Sequence, residues 1–271
     1  MGNVMDDRKI VVIVAMHKTY RTPTDSIYYP LHVGRALAEE IGIPGDNTGD
    51  NISCLNSNFC ELTGMYWAWK NVKSDYVGLV HYRRYFCLNK KFKDPFDNIL
   101  TQGQLRPILK NYSVIVPKKR QYYIETLYSH YAHTFQKEHL DVARDVIRNK
   151  FPEFLDSFDR VMKRRWGYMF NMMIMEKRLF DEYCFWLFSI LFAIKQFNVT
   201  PELKGFEGRF YGRISERLFN VWLEKKLADG EIKREQLKEL PWIYTEKINV
   251  VRKIASFLMA KFLNKKYGKS F

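Results

Sequence analysis

The sequence predicts an α/β fold, in which helices flank a mostly parallel central sheet. Two short apolar runs, Ile10–Met16 and Val77–Val80, have the length and β-branched composition of buried strands. Helical patterns lie between and after them, and strands that alternate with helices are typical of a parallel sheet. We therefore expect one domain over residues 1–240, with the two apolar strands adjacent or nearly so, followed by a C-terminal tail over residues 241–271.

The first half of the chain contains one helix with a clear apolar stripe. Asn56–Val72 places large apolar side chains at helical spacing, which is more typical of a helix that faces the core than of a stacking platform. A shorter helix is expected from about His32. Between the two, residues 42–53 are rich in Gly, Asn and Asp, which predicts an irregular segment.

The second half predicts mostly helices, with two further strands. Pro152 interrupts the longest helical stretch, because proline lacks a backbone donor and clashes with the preceding turn. The expected elements are a helix at Gln102–Asn111, a strand at Tyr112–Pro117, helical structure over Ile124–Arg165, a strand at Tyr168–Met175 and helices at Asp181–Phe197 and Gly208–Leu227.

The charge balance narrows the class of partner. The chain of 271 residues carries a formal net charge of +14, and its pI is about 9.5. Such an excess of cations favours nucleic acid, an anionic membrane or a phosphorylated ligand.

The cysteines and the N-terminus indicate a protein of the cytoplasm. None of the four cysteines lies in a C-x-x-C pair, and the spacing of Cys54 and Cys60 matches no common zinc pattern. Residues 1–9 are polar and lack the apolar region of a signal peptide. No window reaches the roughly 18 apolar residues of a spanning helix. We expect reduced thiols rather than metal ligands.

Basic side chains follow both predicted strands at their carboxyl ends. His17 and Lys18 follow the first strand, and His81, Arg83 and Arg84 follow the second. Ligands of open α/β sheets bind just outside this edge, and a guanidinium donates two parallel hydrogen bonds to phosphate oxygens. The pattern predicts a phosphate-bearing ligand; the alternative is a basic strand end that is simply exposed to water.

Seven segments carry a family pattern: VAMHKTY (14–20), GDNIS (49–53), CELTGMYWAWKN (60–71), VGLVHYRRYF (77–86), FNMMIMEK (170–177), FDEYCFWLFSIL (180–191) and GRISERLFNVWL (212–223). With them the chain resembles the DUF4422 family, bacterial glycosyltransferases of capsule and O-antigen loci. The resemblance covers about Lys9 to Trp222, and WAWKN followed by GLVHYRRYF is its most specific part.

This resemblance implies a GT-A-like fold and a hexosyltransferase that depends on a UDP-sugar. The implied reaction moves a sugar, galactofuranose or galactose, from the UDP-sugar to a lipid-linked saccharide acceptor in the synthesis of bacterial surface polysaccharide. Such an enzyme would be cytoplasmic and peripheral on the inner face of the cell membrane.

Many GT-A enzymes hold a divalent metal on the donor diphosphate with an Asp-x-Asp motif, and this sequence contains none. His81, Arg83 and Arg84 stand where that motif would fall, so we expect fixed cations, and no metal, to stabilise the leaving UDP. Because successive strand residues point to opposite faces, one arginine should face the diphosphate while the other supports the fold. A metal held by scattered carboxylates is the alternative.

The other donor contacts are expected at the first strand end and in the irregular segment. The candidate nucleotide-sugar ligands are His17, Lys18 and Tyr20, then Asp50, Asn51 and Ser53 for ribose or sugar hydroxyls, and Lys70 on the next helix. The three loop residues also suit an ordinary surface loop, and Lys70 with Glu61 an ordinary surface pair.

Glu216 is the expected general base, because inverting GT-A enzymes often place a carboxylate near the start of a late helix. Arg213 and Arg217 bracket it, which suits an ion pair as well as catalysis. Asn171 is the expected contact to the acceptor.

Two other classes of protein fit the composition. A basic, aromatic-rich chain suits single-stranded nucleic acid, and a basic chain also suits a non-catalytic scaffold at a membrane. However, the aromatic residues lie in apolar helical and strand runs, and no RGG, RNP-like or zinc-knuckle pattern is present. We therefore expect no nucleic-acid partner.

The C-terminal tail is basic and amphipathic. Residues 247–271 contain seven Lys or Arg and no Asp or Glu, and an apolar stripe recurs every four residues from Val250 to Phe262. The pattern predicts an interfacial helix that binds anionic lipid; the alternative is a helix docked on the catalytic domain.

Overall fold

A computed structural model gives the structure of residues 7–196 and 208–246. Ten strands lie in these two ranges. They are β1 (Ile10–Met16), β2 (Tyr28–His32), β3 (Tyr76–His81), β4 (Arg84–Phe86), β5 (Val114–Pro117), β6 (Arg120–Gln121), β7 (Trp166–Gly167), β8 (Met173–Glu176), β9 (Leu237–Leu240) and β10 (Trp242–Tyr244).

Eight of these strands form one mixed sheet. β1 lies between β2 and β3 and is parallel to both. β8 lies antiparallel between β3 and β5, and β9 is parallel to β5. β4 turns back on β3 and pairs with β10, while β6 and β7 form a separate ribbon. The longest pairings are parallel, so the prediction of a mostly parallel sheet is confirmed, and the two apolar strands are adjacent as expected.

Helices cover both faces of this sheet. They are α1 (Asn56–Phe59), α2 (Leu62–Asn71), α3 (Gln102–Leu109), α4 (Leu127–Thr134), α5 (Glu138–Lys150), α6 (Leu155–Met162), α7 (Lys177–Gln196) and α8 (Phe210–Ala228). Alternate strand residues point to opposite faces. Ile13 and Leu79 therefore pack with α2, α7 and α8 on one face, whereas Val12 and Val80 pack with α3 on the other.

Strand direction places several strand ends together. β1, β2, β3, β5 and β9 all end at one edge of the sheet, which we call the carboxyl edge. In the parallel pair at its centre, Ala15 lies opposite His81, so the polar residues that follow β1 and β3 emerge side by side.

The helix predicted from about His32 is wrong. Tyr28–His32 is strand β2, and only a short 3-10 turn at Arg35–Leu37 follows it. Pro30 hides the strand in the sequence, because proline is depleted in sheets. Here it is tolerated, since β2 pairs with β1 alone and one side of its backbone needs no partner strand.

Two other predicted elements are shorter than expected. The helix predicted over Asn56–Val72 divides at Cys60, whose φ of 53° and ψ of −130° end α1 before α2 begins. The strand predicted over Tyr168–Met175 starts only after Phe170 and Asn171, because both have positive φ, of 80° and 49°, outside the extended region. The remaining predicted helices and strands are confirmed to within a few residues.

The sheet extends beyond residue 240, the predicted end of the domain. β10 (Trp242–Tyr244) pairs with β4, so the first residues of the predicted tail belong to the domain. The amphipathic helix predicted over residues 247–271 lies outside the described residues. Within the two described ranges, no helix combines the length and the apolar character that a bilayer crossing requires.

The centre of β3 allows no side chain at Gly78, and this gives a test of the sheet. A Cβ there would lie 2.8 Å from Cγ1 of Ile174 and 3.0 Å from the carbonyl oxygen of Met173. We expect Gly78→Ala to lower the free energy of unfolding by about 1–3 kcal/mol through overpacking, measured by urea denaturation. The matched control is Gly103→Ala in α3, where a Cβ meets nothing within 4 Å; it should stabilise by up to about 1 kcal/mol. Equal effects of the two changes would contradict the packing of β3.

Candidate active site

The carboxyl edge brings together side chains from the ends of β1 and β3. The ring of Tyr82 lies at the centre, with the rings of His17 and Tyr20 edge-on to it, each at 5.2 Å between centroids. The Lys18 Nζ lies 5.6 Å from the same ring. Of the predicted donor contacts, the three on the first strand end therefore share one crevice with the β3–β4 hairpin.

His81 is a neutral, hydrogen-bonded group within this crevice. Its Nε2 lies 2.7 Å from the carbonyl oxygen of Phe170, and because a carbonyl only accepts, Nε2 carries the proton. Burial lowers the pKa of His81, and the charges of Arg84 and Arg83 lower it further, although Glu61 acts in the opposite sense. The ring therefore positions the backbone of Phe170 and does not supply positive charge at neutral pH.

The two arginines of the hairpin have different partners. Arg83 donates from Nη1 to Oε2 of Glu246 at 3.1 Å, and the Lys18 Nζ lies 3.9 Å from the other oxygen of the same carboxylate. Arg84 has no ion pair with any described residue, and its buried Nε has no hydrogen-bond partner. Arg83 is therefore paired with a carboxylate, whereas the charge of Arg84 is not balanced by an ion pair with any described residue.

Aromatic rings hold the unpaired guanidinium of Arg84. Its Cζ lies 4.0 Å from the ring centroid of Phe170. It lies 5.6 Å from the ring centroid of Trp242 and 5.5 Å from that of Tyr244. Burial lowers the pKa of Arg84, but an arginine remains charged at neutral pH. Because a half-buried cation without a counter-ion is unfavourable, this position favours an anionic ligand.

A turn at Phe170 and Asn171 forms the floor of the crevice. The Phe170 N–H donates to Oε1 of Glu216 at 2.9 Å, while its carbonyl accepts from His81. The buried amide of Asn171 donates to Oε1 of Glu61 at 2.7 Å and to the Gly212 carbonyl at 2.9 Å. Asn171 was predicted to contact the acceptor, but its amide is already used to tie β8 to α2 and α8.

Two carboxylates beside the Phe170–Asn171 turn differ in their free oxygens. Glu216, the predicted base, accepts from Phe170 with Oε1 and from the buried Arg217 with Oε2, at 2.9 Å each. Glu61 uses only Oε1, for Asn171, and its Oε2 has no hydrogen bond to any described residue. Glu61 is therefore the carboxylate with an oxygen available for chemistry.

Further cations reach the crevice from α8. The Arg209 Nε donates to the sulfur of Cys60 at 3.1 Å, and burial raises the pKa of that thiol to about 11, so the sulfur is neutral. Burial lowers the pKa of Arg213 to about 10. The charge of Arg209 also acts on His17, whose pKa is lowered chiefly by burial. No sequence pattern pointed to Arg209, because it precedes the family-like segment of α8 and follows no strand.

The remaining predicted donor ligands lie elsewhere or are engaged. Lys70 stacks on the ring of Trp69 at 3.6 Å and lies 3.9 Å from Asp50. It is nine residues after Glu61, so about 13 Å further along α2. Ser53 is buried and donates to Asp46.

Asn51 belongs to the same loop and is likewise engaged. Its Oδ1 accepts from the Ser53 N–H at 3.2 Å, and its Nδ2 donates to the carbonyl of Gly49 at 2.9 Å. The structure thus does not bring Asp50, Asn51, Ser53 or Lys70 together with the hairpin arginines.

Metal ligands are not grouped in the part of the chain that the structure describes. No three His, Cys, Asp or Glu side chains there lie close enough to share an ion. The acidic groups of the crevice, from Glu61, Glu216 and Glu246, are each bonded to a different nitrogen partner.

The fold is that of a glycosyltransferase-like α/β protein. The structure superposes on that of WbbM, a bifunctional glycosyltransferase in its apo form, with a TM-score of 0.81 and 31% sequence identity. The match covers 88% of this chain and 46% of that one, so the chain spans about half the length of that protein. The profile of DUF4422, described as a domain of unknown function, matches residues 11–227, and the chain belongs to this family. No curated protein matches the chain.

The burial of His81 predicts a dependence of stability on pH. Its pKa is lowered from 6.5 in the folded chain, so below pH 6.5 the unfolded chain binds a proton that the folded chain does not. The free energy of unfolding should therefore fall as the pH drops from 6.5 to 5, by up to about 1.4 kcal/mol per pH unit for each such histidine. His130 and His139, with pKa values of about 3 and about 4, contribute in the same way.

We expect His81→Gln to reduce this slope, measured by urea denaturation at pH 7 and pH 5. His139→Gln should reduce it as well, because that ring is also buried and neutral. A His81→Gln slope equal to that of the unsubstituted protein would show that folding does not lower the pKa of His81.

Proposed function

We propose that this chain is a glycosyltransferase that moves a sugar from a UDP-sugar to a lipid-linked saccharide acceptor in bacterial surface polysaccharide synthesis. The likeness to a bifunctional glycosyltransferase at 31% identity supports a transferase role. The family resemblance suggests galactofuranose or galactose as the sugar.

One observation carries the proposal, the half-buried guanidinium of Arg84, whose buried Nε is unpaired. Its Nε has no partner, and neither Glu61 nor Glu216 is within ion-pair distance, although both favour its charge. A UDP diphosphate offers the missing oxygens, and the planar guanidinium fork can bind a pair of them with two parallel hydrogen bonds. As the bond to the sugar breaks, negative charge grows on the diphosphate, and a fixed cation stabilises that charge.

The rest of the donor would lie along the first strand end. Lys18 and Arg83 share the carboxylate of Glu246, and phosphate oxygens would compete for the same cations. The rings of His17, Tyr20 and Tyr82 form an aromatic wall beside them, which suits a nucleoside. In this arrangement Arg84 does the electrostatic work of a metal on the leaving diphosphate, so we propose a reaction that needs no divalent cation.

Glu61 is the general base in this proposal, in place of Glu216. Its Oε1 is fixed by Asn171 while its Oε2 keeps lone pairs for an acceptor hydroxyl. Glu216 instead has both oxygens engaged, so its role is to hold the Phe170 turn and Arg217.

The acceptor places the reaction at a membrane surface in this proposal. The lipid carrier of the acceptor stays in the bilayer, and the basic residues 247–271 would bind the anionic inner leaflet as a peripheral attachment. Nucleic acid has no place in the scheme.

Arg84 is the first test of the proposed function. We expect Arg84→Gln to lower turnover of a UDP-sugar by about 10²–10³-fold, the scale for one preorganised charge stabiliser. It should also weaken UDP binding, measured by titration calorimetry in EDTA. Arg83→Gln is the matched control, because its guanidinium already pairs with Glu246, and it should cost less than about tenfold.

Two results would contradict this proposal. UDP binding that disappears in EDTA and returns with Mn²⁺ or Mg²⁺ would mean that a metal holds the diphosphate. Saturable binding of a single-stranded oligonucleotide, without binding of UDP, would favour the nucleic-acid class instead.

The two carboxylates give a second test. We expect Glu61→Gln to lower kcat by about 10²–10⁴-fold, because an amide keeps the bond to Asn171 but accepts no proton. Glu216→Gln should mainly lower the free energy of unfolding, by about 1–3 kcal/mol, since it removes the charged partner of Arg217. If Glu216→Gln abolishes turnover in a stably folded protein while Glu61→Gln does not, the base is Glu216.

A further inference from the structure

A short exposed loop beside the crevice combines lysines with apolar side chains. All six residues of Leu88–Lys93, which we call the 88–93 loop, are exposed. The loop carries Lys90, Lys91 and Lys93, and the side chains of Leu88 and Phe92 are 39% and 60% exposed. No acidic residue lies within it. An apolar ring among lysines on the surface calls for a partner that is both anionic and apolar.

The structure holds this loop in a defined shape from below. Asn98 is buried, and its amide bonds both backbone groups of Phe92: Oδ1 accepts from the N–H and Nδ2 donates to the carbonyl, at 2.9 Å each. The same Nδ2 donates to the carbonyl of Asp94 at 3.0 Å. Both polar backbone groups of Phe92 are hydrogen-bonded to the buried Asn98. These bonds fix the backbone with the Phe92 ring on the solvent side, so the ring is not exposed through fraying of the loop.

The base of the loop adjoins the proposed donor site. Arg21, which follows β1, donates to Asp94 at 2.6 Å and lies over the ring of Phe96 at 4.2 Å. The Phe96 ring in turn lies 6.4 Å from that of Tyr20, which packs on Tyr82. One layer of side chains therefore separates the 88–93 loop from the crevice.

We propose that the 88–93 loop binds the surface of an anionic lipid bilayer. Phe92 and Leu88 enter the interface between head groups and acyl chains, while the three lysines lie among the anionic head groups. The proposal deepens the proposed function, on which it rests for its biological sense, because it brings the crevice to the surface that carries a lipid-linked acceptor. It involves described residues that are separate from the tail.

The dimensions and chemistry of the loop favour lipid over a macromolecular partner. A stable protein interface buries about 800 Å² on each side, far more than one six-residue tip offers. Recognition of nucleic acid usually combines several stacking rings with arginine forks, whereas this loop has one ring and only lysines. A bilayer needs no complementary groove, since its surface adapts to a convex tip.

Vesicle binding of the full chain tests the proposal. The probes are vesicles of phosphatidylcholine alone and of phosphatidylcholine with phosphatidylglycerol, in sedimentation at sub-saturating lipid. Replacing Lys90, Lys91 and Lys93 by Gln should lower the partition coefficient on anionic vesicles by about 10–100-fold, since each lysine near the surface contributes about fivefold. The matched control replaces Lys9, Lys73 and Lys110, exposed lysines at the opposite edge of the sheet, and should lose much less.

Two phenylalanines of equal exposure separate insertion from simple charge attraction. Phe92→Ser should weaken binding to anionic vesicles by at least about fivefold, the effect of withdrawing a large apolar side chain from the interface. Phe185→Ser is the control, because Phe185 is 59% exposed but lies on α7 near Asp181 and Glu182. It should bind as the unsubstituted protein does.

A local reporter makes the test independent of the tail. In a Cys54→Ser background, which removes the exposed native thiol, an environment-sensitive dye at Phe92→Cys should shift to the blue on anionic vesicles, and a dye at Phe185→Cys should not. Equal losses from the two lysine triples overturn the proposal. So does the same dye shift with soluble polyphosphate, which would mean that the loop binds anions without a bilayer. None of these measurements uses a sugar donor, so their failure is distinct from a failure of transferase activity.

Discussion

The left-handed turn at Phe170 and Asn171 is the constraint on which the crevice depends. Its backbone costs about 1–3 kcal/mol at each such residue, less for asparagine than for a bulky ring. The turn persists because three elements hold it: β3 through His81, α2 through Glu61 and α8 through Glu216. Since β8 starts directly after the turn, the same bonds fix where the carboxyl edge ends and where the Phe170 ring stands.

That ring connects backbone geometry to electrostatics. Phe170 contacts Trp242 edge-on at 4.9 Å, and the guanidinium of Arg84 lies against both rings. A cation on an aromatic face gains about 0.5–2 kcal/mol, which offsets part of the cost of leaving Arg84 without a carboxylate. β10 supplies Trp242, so a strand that the sequence did not predict contributes a ring to the candidate site.

The sequence was informative where a local pattern alone decides the structure. The short apolar runs of β1 and β3 are stable mainly as buried strands. Because the two strands are parallel neighbours, the polar residues that follow them emerge at one edge of the sheet. β2 and β10 were missed because they are short edge strands, one of them containing Pro30, and only their neighbours make them strands. The distance of Lys70 from Glu61, in contrast, follows from helix geometry and needed no structure.

The sequence could not show whether Glu61 or Glu216 is the better candidate for the general base, for a different reason. Both carboxylates lie in family-like segments, and although only Glu216 has arginines beside it, an arginine suits an ion pair as well as catalysis, so residue type and spacing do not show which one is the base. What distinguishes them is which oxygens are already bonded, and that depends on the Phe170–Asn171 turn, a long-range product of three elements.

In the proposed function an arginine does the electrostatic work of a metal, and the same turn supplies a physical reason for it. A metal needs several carboxylates converging on one point, and here Glu61, Glu216 and Glu246 are each committed to a separate nitrogen donor. A guanidinium needs only aromatic faces that contact it and fix its orientation, and the rings of Phe170, Trp242 and Tyr244 do this for Arg84. Its charge does not dissociate and does not titrate near neutral pH, so the crevice remains cationic whether or not a ligand is bound.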